Sequence, residues 1–72
     1  MKCEVILKND KTIYVDDFNC IEYTDGYDAE TKLFENKDFG GLDLLDDVTY
    51  TIIGSSIIKV KGEQILYLHF KK

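Results

Sequence analysis

Two stretches of this chain, residues 3–23 and 48–68, carry one and the same alternation of apolar and polar side chains, displaced by 45 positions. Apolar Cys3, Val5, Leu7, Ile13, Val15, Ile21 and Tyr23 correspond to Val48, Tyr50, Ile52, Ile58, Val60, Leu66 and Leu68. A period of two marks a strand with one buried face. Polar clusters interrupt the pattern at equivalent places: Asn9-Asp10-Lys11 and Asp17-Phe18-Asn19 in the first copy, Gly54-Ser55-Ser56 and Gly62-Glu63-Gln64 in the second. Asn, Asp and Gly suit such breaks because they tolerate turn geometry and bond to their own backbone. The repeat therefore predicts two three-stranded antiparallel β-meanders, residues 2–24 and 48–71. Neither can bury its apolar face alone. Stacked, they form an all-β fold, a small sandwich or partly open barrel of about six to seven antiparallel strands.

Parity sets the loop lengths, because residues opposite each other in an antiparallel pair share a face. Three-residue loops at 9–11, 17–19, 54–56 and 62–64 put Leu7, Ile13 and Tyr23 in one inward row and Val5, Val15 and Ile21 in the next. In the second copy the inward rows are Ile52, Ile58, Leu68 and Tyr50, Val60, Leu66. A two-residue turn at Gly62-Glu63 competes for the last loop and would slip the final strand by one position.

The connection, residues 25–47, has no counterpart in the repeat. Asp25-Gly26 reads as a turn, and Thr31–Glu35 as a short strand folding back beside Thr24. A helix opening after Asp28 is the alternative over 29–36, since Ala29 to Phe34 contains good helix formers. Gly40-Gly41 demands loop geometry. Phe39, Leu42, Leu44 and Leu45 look like a cap on the core.

Seventy-two residues make a single domain, 1–72, near the lower limit for a self-sufficient core. Dimerisation is one way to widen so thin a margin of stability. No apolar run approaches a membrane span, and Met1-Lys2-Cys3-Glu4 does not open a secretory leader, so a cytoplasmic protein is expected. Two cysteines are too few to staple a scaffold, and the alternation turns Cys3 inward and Cys20 outward; both are expected as free thiols.

Net charge is −5 but uneven: +1 over residues 1–15, −9 over 16–47 and +3 over 48–72. Arg is absent, which removes the bidentate fork for phosphate or guanine, and direct nucleic-acid binding is not expected. Lys, Ile, Tyr, Asn and Asp are plentiful while Arg, Pro and Trp are missing, a skew found in AT-rich coding such as that of phages of low-GC bacteria.

Catalytic and metal chemistry find little to stand on. His69 is the only histidine, placed by the pattern in an outward row with Ile53 and Ile57, and no nucleophile accompanies it. Cys20 is expected beside Glu4, Asp16 and Glu22, and acids suppress a thiolate. Cys3, Cys20 and His69 lack the paired spacing of a zinc site, and Asp25, Asp28 and Glu30 lack the spacing of a calcium loop. No Gly-rich phosphate loop is present. The expectation is a protein with no catalytic residues, no metal and no cofactor.

What remains is surface. Asp16, Asp17, Asp25, Asp28, Glu30, Asp38, Asp43, Asp46 and Asp47 form an acidic set suited to a basic protein partner, for instance the nucleic-acid-binding surface of a host protein inhibited by a phage product. Ile53, Ile57 and Tyr67, expected as outward neighbours, would supply an apolar anchor or a homodimer contact unless the connection folds over them. Ile6 and Tyr14 add apolar surface to the first copy's outer face. The alternative function is a structural or assembly subunit that self-associates through the apolar outer face, the acids serving solubility alone.

Overall fold

The computed structural model describes residues 1–24, 31–35 and 44–72, and those residues are all-β. Seven strands follow in order: β1 Lys2–Leu7, β2 Thr12–Val15, β3 Cys20–Thr24, β4 Thr31–Glu35, β5 Thr49–Ile53, β6 Ile57–Lys61 and β7 Ile65–Lys71. A single 3-10 turn, Gly62–Gln64, joins the last two. The strands make two antiparallel sheets, one ordered β2-β1-β7 and the other β4-β3-β5-β6. The expected small sandwich is the observed fold. The strand reading of 31–35 holds against the helical alternative, with Ile21 opposite Phe34 and Tyr23 opposite Lys32. The turn at Asp25-Gly26, the loop at Gly40-Gly41, and Phe39 and Leu42 of the apolar cap lie outside the described residues.

The two meanders are corrected. β3 does not pair with β2; it leaves the first copy and pairs with β5, Ile21 opposite Ile52 and Tyr23 opposite Tyr50. β7 likewise leaves β6 and pairs with β1, Val5 opposite Leu68 and Cys3 opposite Phe70. Alternation dictates which face of a strand is buried but not which strand lies beside it. The loops after Val15 and after Lys61 therefore cross from one sheet to the other instead of turning back within one.

Faces survive this exchange almost intact. Cys3, Val5, Val15, Ile21, Val48, Tyr50, Ile52 and Val60 are buried, and Leu7, Ile13, Tyr23, Ile58 and Leu68 are half-buried against them. Leu66 is the exception at 55% exposed. The β1–β7 register shifts between Ile6 and Leu7, with Ile6 opposite Tyr67 and Leu7 opposite Ile65. Leu66 is the extra residue of this β-bulge, so Ile65 turns in and Leu66 turns out, the reverse of strict alternation. Phe18, expected in a turn, is buried, with its ring edge-on to Phe70 at 5.0 Å. Of the apolar cap, Leu44 packs against the core while Leu45 is half exposed.

The β5–β6 hairpin has the expected register, Ile52 opposite Ile58 and Tyr50 opposite Val60 around Gly54-Ser55-Ser56. The β1–β2 hairpin is offset by two positions, Val5 opposite Ile13 and Cys3 opposite Val15. An offset of two preserves every face. Its loop is Lys8-Asn9-Asp10, closed by Asp10 N–H donating to the Leu7 carbonyl at 3.1 Å, with Asp10 at φ 68°. Aspartate is among the few residues that accept such a left-handed conformation at low cost.

The 3-10 turn is held against the segment before β5. Gly62 N–H donates to the Val48 carbonyl at 2.8 Å and Glu63 N–H to that of Asp46 at 3.1 Å. Tyr50 is fully buried beneath them, and its hydroxyl accepts from the Leu45 N–H at 2.8 Å. A Cβ at Gly62 would run into the Leu45 carbonyl and meet Tyr50 Cε2 at 3.1 Å. One at Gly54 would lie 2.7 Å from Val15 Cγ1. Gly62→Ala should therefore lower the free energy of unfolding by about 1–3 kcal/mol, as overpacking does. Urea denaturation followed by circular dichroism checks this; an unchanged midpoint would mean that the Leu45 turn yields without cost.

Candidate functional site

The exchange of β3 and β7 rearranges both outer faces. On the β2-β1-β7 sheet, the register places Tyr14, Glu4 and His69 in one outward row and Thr12, Ile6 and Tyr67 in the next. Lys2 lies opposite Lys71 in a third row, with Asp16 alongside, its carboxylate 3.7 Å from Lys2 Nζ. On the β4-β3-β5-β6 sheet, Glu35, Cys20, Ile53 and Ile57 make one outward row, followed by Leu33, Glu22, Thr51 and Lys59.

Two expected groupings are thereby corrected. Tyr67 is not a neighbour of Ile53 and Ile57: it sits beside Ile6 on the other sheet, because β7 pairs with β1 and not with β6. His69 leaves the isoleucines for the same reason and faces Glu4, whose carboxylate is 3.9 Å from its Nδ1. Ile53 and Ile57 do remain a cross-strand pair, Ile57 being 67% exposed. The apolar surface that strand order alone could have revealed is the Tyr14, Ile6, Leu66 and Tyr67 group. Tyr14 is 64% exposed and Tyr67 52%.

The described members of the expected acidic set lie at two ends of β5. At its C-terminal end, the Asp16 carbonyl accepts from Ser55 N–H at 2.8 Å and the Ile53 carbonyl accepts from Asn19 N–H at 2.8 Å. These bonds bring Asp16 and Asp17 to the hairpin that carries Ile53 and Ile57. Asp17 takes φ 52°, which turns the chain from one sheet into the other. At the N-terminal end, Asp46 and Asp47 occupy the turn before Val48, exposed to solvent. β5 spans five residues, so the two acidic pairs are separated by roughly 17 Å or more. Asp25, Asp28, Glu30, Asp38 and Asp43 lie outside the described residues.

Glu4 makes polar contacts to both Lys71 and His69 on the outer face of the β2-β1-β7 sheet. Its side chain is only 15% exposed, and Oε1 accepts from Lys71 Nζ at 2.8 Å. That hydrogen bond, with the charges of Lys71, His69 and Lys2, holds the Glu4 carboxyl below the usual carboxylate range. The same bond raises Lys71 above the ordinary lysine value. Among the described residues no three His, Cys, Asp or Glu side chains converge as a metal site. Nor is any described helix long and apolar enough to cross a membrane.

Both cysteines are free. Burial pushes the Cys3 thiol up to about 11, and the neighbouring Glu4 adds to the shift. Cys20 is raised by burial and then by Glu22 and Glu35, its neighbours on the sheet face. Of the three acids expected beside it only Glu22 is there: Glu4 and Asp16 belong to the other sheet because β3 does not pair with β2, and Glu35 enters through the β3–β4 pairing. No family model, curated protein or solved structure matches this chain.

Two outcomes follow from these groups. Glu4 has a lowered folded-state value, so its contribution to stability is present above the unfolded carboxylate pKa and is lost as pH falls through the folded one. Lys71 mirrors it: its contribution is present below the unfolded lysine pKa and fades as pH rises through the raised folded value. Glu4→Gln should cost stability between those limits and none below the lower, read as urea midpoints across pH; a gap that persists in acid would assign the loss to packing. The thiols should react slowly. At mildly alkaline pH a thiol reagent should label Cys20 first and faster in Glu35→Gln, and label Cys3 only on unfolding; rapid native labelling of Cys3 would contradict its burial.

Proposed function

We propose that this chain is a non-enzymatic protein-interaction module whose acids address a basic surface of a protein partner. The observation that carries the reading is charge: residues 16–47 hold a net −9, and of its described acids Asp16, Asp17, Asp46 and Asp47 are exposed while Glu22 and Glu35 are half-buried. Carboxylates spaced along a rigid β scaffold can stand in for the phosphates that a nucleic-acid-binding protein expects, and a phage-encoded inhibitor of such a host protein is the form of the reading that fits the composition. A cytoplasmic setting belongs to the same proposal and is supported by the two free thiols.

The apolar anchor of this contact is the Ile53 and Ile57 pair. It lies next to Asp16 and Asp17, so charge and apolar area share one end of the sandwich. A partner there meets exposed Ile57 on the hairpin to which the Asp16 backbone is hydrogen-bonded. Long-range attraction speeds the encounter and the isoleucines slow dissociation.

The test is affinity capture from host lysate over a salt series. The wild-type chain should hold a basic partner at low salt and release it as salt rises, because exposed charges are screened within about 10 Å at 0.1 M. A variant with Asp17→Asn, Asp46→Asn, Asp47→Asn and the Asp25, Asp28 and Glu30 amides should lose that partner, and Ile57→Ser should weaken its retention at every salt concentration. If the neutralised variant retains every partner of the wild type, the electrostatic reading is wrong.

A further inference from the structure

We draw no further inference here: the strongest candidate, the exposed patch of Tyr14, Leu66 and Tyr67 around half-buried Ile6 on the outer face of the β2-β1-β7 sheet, carries nothing because nothing in the structure shows what covers it.

Discussion

Each sheet of this protein is completed by a strand from the other half of the chain, and the rest of the structure depends on that exchange. β7 reaches β1 across nearly the whole sequence, and β3 passes its own hairpin to pair with β5. Without the second half, β1 keeps only β2 and β3 keeps only β4, two-stranded ribbons with no stable existence in water. The halves must therefore order together, and unfolding is expected to be all-or-none. Such non-local pairings also place the chain among slow folders, because loop closure has to precede the contacts that stabilise it.

The exchange tightens a core that has little to spare. Eleven of the described residues form it, from Cys3 to Ile65, and none of the described buried side chains is polar or charged. Phe70 joins the sheets, touching Phe18 at 5.0 Å and Phe34 at 5.8 Å. Tyr50 joins the 3-10 turn to the segment before β5 through its hydroxyl, and Tyr23 rests against its ring at 5.5 Å. Aromatic rings bridge the layers because one ring spans more of the gap between stacked sheets than an aliphatic side chain does.

Strand positions and buried faces were legible in the sequence because alternation reports them directly. Thr31–Glu35 was legible as a strand from its place after a turn, and the β5–β6 register from parity around Gly54. The neighbours of β3 and β7 were not, since a strand that leaves its hairpin keeps the same alternation as one that stays. The candidate site suffered most from this. Tyr67 and His69 were read onto a surface with Ile53 and Ile57, and the pairing with β1 carries them to Ile6 and Glu4. Phe18 was hidden for another reason. It sits between Asp17 and Asn19, where polar neighbours announce a turn, yet that turn crosses between the sheets and must bury whatever it carries inward. The opening Asp25-Asp28 segment and the Phe39-Leu42 stretch have no alternation from which a face could be read.

The bulge at Leu66 decides what the β2-β1-β7 face offers. Strict alternation would bury Leu66 and expose Ile65; the extra residue reverses the two while leaving Tyr67, Leu68, His69 and Phe70 in phase. The core loses a leucine and gains an isoleucine of the same volume, so the transfer free energy changes by little, whereas an uncompensated loss of either would cost about 1.5–3 kcal/mol. What does change is the surface. A leucine now stands beside Tyr67, next to Ile6, on a sheet whose ion pairs already cancel its charge. A bulge bends and twists the strand that carries it, and here it also turns an apolar side chain out to meet two tyrosines. The same single residue thus leaves the interior nearly unaltered and adds an exposed leucine to the outer face.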